Sequence, residues 1–181
     1  MKEIVKEVIS TIVYLLLVCC AVYLLITYVG QRTIVSGDSM EPTLSHQDNL
    51  IVDKLSYRFH EPERFDIIVF PFQYAENTYY IKRIIGLPNE KVRIDADGVI
   101  YINGRVLQES YGREVIRPDK IGLASEEITL GPDEYFVMGD NRNNSADSRV
   151  AEVGNIKKED IIGRAWVRIW PFSDIEVLKH Q

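Results

Sequence analysis

The chain has 181 residues, of which 46% are hydrophobic and 27% charged; 21 lysines and arginines against 27 aspartates and glutamates give a net charge of −6. These proportions are typical of a globular protein and exclude intrinsic disorder and collagen-like repeats. The negative charge provides no general attraction for nucleic acids, so we expect no nucleic-acid partner. The length suits one domain or two small ones.

The N-terminal part of the chain has the composition of a membrane span. Residues 8–31 form an uncharged run of 24 residues, VISTIVYLLLVCCAVYLLITYVGQ. As a helix this run would be about 36 Å long at about 1.5 Å per residue, enough to cross roughly 30 Å of hydrocarbon. It is longer than the apolar core of a secretory signal peptide and lacks a small-x-small cleavage site, which favours an uncleaved anchor.

The charges that flank this run predict its orientation. Lys2 and Lys6, together with the amino terminus, slightly outweigh Arg32 and Lys54 on the other side, which mildly favours a cytoplasmic N-terminus. The sequence therefore predicts a single-pass protein of the cell membrane with three parts: a short cytoplasmic tail (1–7), a transmembrane anchor (8–31) and an extracytoplasmic domain (32–181). Both cysteines lie in the anchor, so this domain must fold without a disulfide.

The domain is predicted to be mainly β. Short runs of β-branched and aromatic residues recur between turn-forming residues. The predicted strands cover residues 49–53, 66–70, 79–85, 91–95, 99–102, 105–107, 134–138 and 164–170. Asn103-Gly104 is typical of a two-residue hairpin turn, in which both residues take positive φ. The polar stretch 109–126 has no clear period and is expected to be a surface insertion.

The chain has few residues that could support histidine-dependent catalysis or metal binding. Only three histidines are present, His46, His60 and His180, and all lie in polar loop or terminal contexts, which leaves little material for a Ser-His-Asp triad or a multi-histidine metal site. The polar run 139–149 does not fit a calcium loop, because Arg142, Ser145 and Ala151 stand where a ligand oxygen, a glycine and a glutamate are required. We therefore expect no metal and no cofactor.

A candidate nucleophile, Ser39, lies in the turn-forming segment 36–44, SGDSMEPTL. On its own this segment is typical of a surface turn. It lacks the G-x-S-x-G nucleophile elbow, and Pro42 rather than a lysine follows Ser39 by three residues, so two familiar serine-enzyme signatures are absent. The turn interpretation prevails unless a second feature supports catalysis.

That second feature is a lysine in the strand 79–86, YYIKRIIG. Because side chains alternate across a strand, Lys82 shares a face with Tyr80 and Ile84. For an isolated strand, a solvated lysine at a sheet edge is the simpler interpretation. A desolvated lysine can instead be neutral and take the proton of a serine hydroxyl. Lowering its pKa from about 10.4 to about 7.5 requires roughly 4 kcal/mol, which burial can supply.

Four segments, in this order behind a single anchor, resemble the ordered motifs of type I signal peptidases, peptidase family S26. They are G-D-S-M-x-P-T-L (37–44), R-F-D-I-I-V (64–69), Y-I-K-R-I-I-G-L-P (80–88) and G-D-N-R-x-N-S-x-D-S-R (139–149). The resemblance covers nearly the whole chain, and the short single-anchor form resembles the Gram-positive branch. It implies an antiparallel β catalytic domain with a small inserted β region near residues 89–130.

The resemblance also implies an activity. A member of this family is a membrane-bound serine endopeptidase that removes N-terminal signal peptides after small residues, in the pattern Ala-x-Ala. Its partners would be exported preproteins and the lipid bilayer. Ser39 would be the nucleophile and Lys82 the general base, with Ser145 hydrogen-bonded to Lys82 to orient it.

Supporting tasks fall to four charged residues under the same resemblance. Asp147 and Arg149 would hold the 139–149 loop, and Asp140 would pair with Arg83. Ordinary surface ion pairs are the open alternative for all four.

One position departs from the family pattern. Gly37 stands where some members have a serine whose hydroxyl helps to form the oxyanion hole. The backbone N–H of Ser39 can still serve, and the second donor stays unassigned.

The substrate is expected to bind as an added strand whose alternate side chains meet one wall. Met40, Leu44 and Ile81 flank the proposed dyad in sequence and are the apolar candidates for that wall. An alternative function is that of a non-catalytic, signal-peptidase-like assembly factor for surface fibres. A self-cleaving repressor is disfavoured, because the membrane span stands where such proteins carry a DNA-binding module.

Overall fold

The computed structural model describes residues 2–178, so the last three residues of the predicted domain lie outside the described part. A long helix, α1 (Lys2–Tyr28), precedes a domain of strands joined by turns and short 3-10 segments. The strands are β1 (Gly30–Ile34), β2 (Asn49–Asp53), β3 (Ile67–Pro71), β4 (Tyr79–Gly86), β5 (Lys91–Ile94), β6 (Ile100–Ile102), β7 (Arg105–Val106), β8 (Ile128–Thr129), β9 (Glu134–Met138), β10 (Ile156–Lys157), β11 (Gly163–Trp170) and β12 (Glu176–Val177).

Helix α1 is long and apolar enough, by length and composition, to cross a membrane. Its stretch Glu3–Leu24 has a mean hydropathy of 2.2 and none of it is buried against the domain. The helix includes most of the predicted tail and ends at Tyr28. The predicted end of the anchor at residue 31 lies inside β1, because Gly30 is already paired with Asp53 of β2.

Two antiparallel sheets form the domain, which confirms the predicted mainly β fold with one N-terminal helix. The larger sheet has the strand order β1-β2-β11-β3-β4-β9-β10, with β12 paired to β11. The smaller sheet has the order β7-β6-β5-β8 and lies within the predicted inserted region. Its predicted hairpin turn is present, since Asn103 and Gly104 have φ values of 51° and 76°.

The two sheets share one apolar core at their junction. Ile85 and Phe136 of the larger sheet pack in the same cluster as Val92 of the smaller one. A Cβ at Gly86 would lie 2.6 Å from the Val92 side chain and 2.8 Å from that of Leu130, so glycine permits this close approach. Strand β4 is therefore held between β3 and β9 and packed from the inserted region as well.

Candidate active site

Ser39 lies in the turn that follows β1, and this turn is fastened to the core. Gly37 has a φ of +89°, a left-handed conformation that glycine adopts without strain. The N–H of Leu44 donates a hydrogen bond of 2.9 Å to the carbonyl of Met40. Both side chains are buried in one cluster, so the segment that resembled a surface turn has a fixed position.

Lys82 lies on β4 and reaches Ser39 directly. Its Nζ donates a hydrogen bond of 2.8 Å to Ser39 Oγ and a second one of 2.9 Å to the carbonyl of Ile81. The residue is only 4% exposed, and its Nζ lies 5.1 Å from the centre of the Tyr80 ring. The structure thus brings together the two residues that the sequence suggested as a dyad.

The surroundings of Lys82 favour its neutral form. Burial lowers the pKa of Lys82 from 10.5 to about 8, because the ammonium group loses its hydration. The carboxylates of Asp147 and Asp140 act in the opposite direction, and Arg149 adds to the lowering. At pH 7 a lysine with this pKa is neutral about one time in ten, so a proton acceptor is available beside the serine hydroxyl.

The loop 139–149 follows β9 and supports the backbone of Ser39. The N–H of Asn141 donates a hydrogen bond of 3.1 Å to the carbonyl of Ser39. The side-chain amide of Asn141 donates another, of 3.0 Å, to the carbonyl of Asp38. A Cβ at Gly139 would lie 2.3 Å from both the carbonyl oxygen of Ser39 and Oγ of Ser145. The close contact between loop and turn therefore requires glycine at this position.

Asp147 and Arg149 form a buried ion pair inside that loop. Two hydrogen bonds of 2.7 and 2.8 Å join the guanidinium to the carboxylate. The carboxylate also accepts a bond of 3.0 Å from the N–H of Gly139. Since the two residues are 0% and 3% exposed, a solvated surface pair does not describe them, and their hydrogen bonds connect the start of the loop to its end.

Asp140 and Arg83 form a second buried ion pair, which links the loop to β4. Their two hydrogen bonds measure 2.8 and 2.6 Å, and the side chains are 0% and 1% exposed. The hydroxyl of Thr43 donates a bond of 2.6 Å to the same carboxylate. Thr43 thereby ties the turn of Ser39 to this pair, a contact that the sequence alone did not suggest.

Ser145 does not make the hydrogen bond that the resemblance implied. Its Oγ is buried and has no hydrogen-bond partner within the described part of the chain. The two hydrogen bonds that Lys82 Nζ does make go to Ser39 and to the carbonyl of Ile81. A buried hydroxyl without a partner costs roughly 1–3 kcal/mol, and such exceptions call for an explanation, a catalytic role among them.

Ser39 and Lys82 both line an open cleft of about 410 Å³. One side is formed by residues 33–39 and the other by residues 79–82, with Val69, Asn144 and Ala146 completing the lining. The dyad therefore lies on a surface that an extended peptide can reach.

The family model of the signal peptidases, peptidase S26, matches residues 6–170. The chain belongs to the signal peptidase family. Membership makes it a peptidase of the signal peptidase type, and the proposed dyad lies within the matched segment.

Relatives of this signal peptidase include a probable signal peptidase I-2 of Synechocystis, 40% identical over 84% of this chain and 68% of the relative. Signal peptidase I of Bacillus caldolyticus is 39% identical over 85% and 87% of the two chains. Signal peptidase I P of Bacillus subtilis subsp. natto is 33% identical over 96% and 95%. A crystal structure of signal peptidase I from Enterococcus faecalis is 35% identical, with a TM-score of 0.48, and covers 58% of this chain and 97% of that one.

The predicted substrate wall of this signal peptidase needs correction. Ile81 lines the cleft, but Met40 and Leu44 are 1% and 0% exposed and belong to the core. Closeness to Ser39 in sequence does not determine which face of a turn a side chain occupies, and the apolar side chains take the buried face. Ile34 and Val69 provide apolar lining instead.

The second oxyanion donor remains unassigned in this signal peptidase. The N–H of Gly37 donates a hydrogen bond of 3.1 Å to Nδ1 of His46, so it is already engaged.

Within residues 2–178, no group of three or more histidine, cysteine, aspartate or glutamate side chains is placed to hold a metal ion.

Proposed function

We propose that this chain is a membrane-anchored serine endopeptidase that cleaves the signal peptides of exported preproteins, with Ser39 as the nucleophile and Lys82 as the general base. The observation that supports this most is the hydrogen bond of 2.8 Å between Lys82 Nζ and Ser39 Oγ. Burial lowers the pKa of this lysine to about 8, so that the neutral amine is accessible near physiological pH.

The proposed reaction begins with transfer of the Ser39 hydroxyl proton to neutral Lys82. Ser39 Oγ attacks the carbonyl carbon of the scissile bond, and the backbone N–H of Ser39 donates to the resulting oxyanion. Protonated Lys82 then gives the proton to the leaving nitrogen, and the C–N bond breaks. The mature protein leaves, while the signal peptide stays esterified to Ser39.

The second half of the reaction regenerates the enzyme. A water molecule attacks the ester carbonyl as Lys82 takes one of its protons. The bond between the carbonyl carbon and Ser39 Oγ breaks, and Lys82 returns the proton to that oxygen. The signal peptide leaves with a new C-terminal carboxyl group, which ionises by releasing the second proton of the water to the solvent.

The sheet edge beside the dyad supports binding of the preprotein as an added strand. Strand β9 pairs with β4 over Arg83–Gly86, whereas residues 79–82 of β4 line the cleft. A strand laid against this edge would direct its alternate side chains, one and three residues before the cut, toward the same wall. The apolar lining of Ile34, Val69 and Ile81 suits small side chains such as alanine, because overfilling a packed site costs about 1 to 3 kcal/mol.

The anchor supplies the location. We place α1 across the cell membrane with a cytoplasmic N-terminus and the catalytic domain on the outer side, where exported chains arrive. A signal peptide is itself held in the bilayer, so a tethered protease encounters it at a high effective concentration. The lipid bilayer is accordingly a partner of α1.

The full chain, purified in detergent or lipid, tests the proposal on a preprotein. The wild type should cleave it at the signal site, Ser39→Ala should not, and the control Ser45→Ala, at an exposed serine directly after the segment 36–44, should cleave normally. Cleavage by Ser39→Ala would refute the assignment of Ser39 as the nucleophile. In cells that lack other signal peptidases, rescue by Ser39→Ala would instead support the non-catalytic assembly factor.

A further inference from the structure

Part of the inserted region lies across the 139–149 loop. We call residues 109–117 the brace. Hydrogen bonds join it to the 139–149 loop: Arg113 N–H to Asp140 O (2.8 Å), Arg117 N–H to Asn143 Oδ1 (2.9 Å) and Asn143 Nδ2 to Val115 O (2.9 Å). The brace therefore follows the loop along its first residues, on which the backbone of Ser39 rests.

A buried ion pair forms the strongest link between the brace and the loop. Both terminal nitrogens of Arg142 bind the carboxylate of Glu109, one of them at 2.6 Å. The Arg142 and Glu109 side chains are 3% and 11% exposed. A Cβ at Gly112 would lie 3.3 Å from Arg142 Cζ, so the backbone of the brace packs directly on the guanidinium.

The third nitrogen of Arg142 connects this pair to the nucleophile. Its Nε donates a hydrogen bond of 3.1 Å to the carbonyl of Gly139. Gly139 is the residue with no room for a side chain between Ser39 O and Ser145 Oγ. By fixing the carbonyl of Gly139, Arg142 fixes the surface against which the backbone of Ser39 packs.

We propose that Glu109 and Arg142 are positioning residues for the reaction of Ser39 with Lys82. Neither residue lines the cleft, so they act through the 139–149 loop rather than on the substrate. A displacement of about 1 Å at a reacting group can cost roughly 100-fold in rate, which is why a remote clamp matters. This inference rests on the proposed function, because it concerns the geometry of the same site.

A third contact places the brace against the other half of the site. The centre of the Tyr111 ring lies 3.6 Å from Cζ of Arg83. Arg83 is the residue that follows Lys82 on β4. The brace therefore touches the strand that carries Lys82 and the loop against which the turn of Ser39 packs. The inserted region is thus a part of the catalytic scaffold.

The test compares Glu109→Ala with Glu127→Ala in the full-length chain. Glu127 also lies in the inserted region, but its ion pair with Lys91 is solvent-exposed. Glu109→Ala should lower kcat by about tenfold or more with KM within about twofold, whereas Glu127→Ala should stay within about twofold in both. Glu109→Gln, which keeps an oxygen acceptor for Arg142, should fall between them.

The pH dependence of kcat/KM separates positioning from a general loss of structure. Loosening the loop should admit water to Lys82, raise its pKa toward 10.5 and move the rising limb of the profile to higher pH. A double variant, Glu109→Ala with Arg142→Met, should lose no more activity than the more impaired single variant, because both changes break one connection.

Two results would overturn the inference. The first is that the Glu109 and Arg142 variants keep the wild-type kcat and the wild-type pH profile of kcat/KM. The second is that kcat falls only in proportion to the fraction of the protein that is folded. Where Glu109→Ala does not fold, Glu109→Gln carries the same comparison. Failure of the wild type to cleave any preprotein would refute the proposed function, whereas a cleaving wild type with unaffected variants would refute only the positioning role.

Discussion

Lys82 Nζ and Ser39 Oγ lie 2.8 Å apart although their residues are 43 positions apart in the chain. Lys82 is held by a central strand of the larger sheet, and Ser39 by a turn whose apolar side chains are buried. Two separately fixed elements therefore set the distance. A proton can pass between the two atoms without rearrangement of the backbone, which is the preorganisation that general-base catalysis requires.

Replacement of Lys82 by arginine should abolish turnover although the positive charge is kept. A guanidinium does not lose its proton in a protein and cannot act as a base. Cleavage of a preprotein by the purified full-length variant measures this, with Lys91→Arg, an exposed lysine of the inserted region, as the control. Near-normal turnover by Lys82→Arg would contradict the role of Lys82.

Lys82→Met should be inactive yet raise the free energy of unfolding near neutral pH. Lys82 has a pKa of about 8 in the fold against 10.5 for a solvated lysine, so the unfolded state binds more protons between these values and wild-type stability rises with pH there. Below pH 8 the buried charge costs on the order of 3 kcal/mol, which methionine removes. Denaturant unfolding in detergent should show this gain shrinking from pH 8 toward 10.5; a pH-independent difference would contradict the assignment.

Ser145→Ala should slow the reaction while leaving the fold as stable or more stable. The hydroxyl is buried without a partner in the described chain, so its removal takes away an unfavourable burial. If this hydroxyl orients Lys82 during the reaction, the rate should fall by about 10² to 10⁴ fold. Parallel measurement of kcat and of unfolding decides the matter, and an unchanged rate would leave Ser145 without a catalytic task.

Gly139→Ala should impair catalysis far more than a matched change elsewhere. Its Cβ would lie 2.3 Å from Ser39 O and from Ser145 Oγ, so the turn or the loop must move. At Gly30 the nearest contact of an added Cβ is 3.5 Å, ordinary packing. We expect kcat to fall by roughly 100-fold for Gly139→Ala and to stay near normal for Gly30→Ala; equal activities would show that the close contact is dispensable.

The proposed binding mode predicts a preference at two substrate positions. A preprotein series with alanine, phenylalanine or lysine one and three residues before the cut should be cleaved efficiently only with the small side chain. Ile81 lines the cleft, so Ile81→Ala removes apolar atoms and widens the cleft there. This variant should improve cleavage of the preproteins with larger residues. Equal cleavage of all substrates by the wild type would refute the added-strand mode.

Much of the fold could be predicted because its signals are local. The uncharged run marked the helix, and runs of β-branched and aromatic residues marked β4 and β9. Asn103-Gly104 marked a hairpin, since its conformation depends on those two residues themselves. The strands β1, β8, β10 and β12 were not predicted; three of them have only two residues, too short for any alternation.

The site was predictable where a motif names the residue and not where geometry decides. Ser39 and Lys82 came from ordered motifs. Met40 and Leu44 were assigned to the cleft only because they are neighbours of Ser39, and burial placed them in the core. The support from Asn141 depends on how a loop folds back onto a turn about a hundred residues earlier, which no local pattern reveals.

The pH dependence of kcat/KM for preprotein cleavage tests the central claim most directly, namely that neutral Lys82 is the base for Ser39. With the pKa of Lys82 lowered to about 8 by burial, log kcat/KM should rise with a slope of about one and level off above about pH 8. A limb near pH 6.5, typical of an imidazole base, or a profile that stays flat well below pH 8 would contradict it.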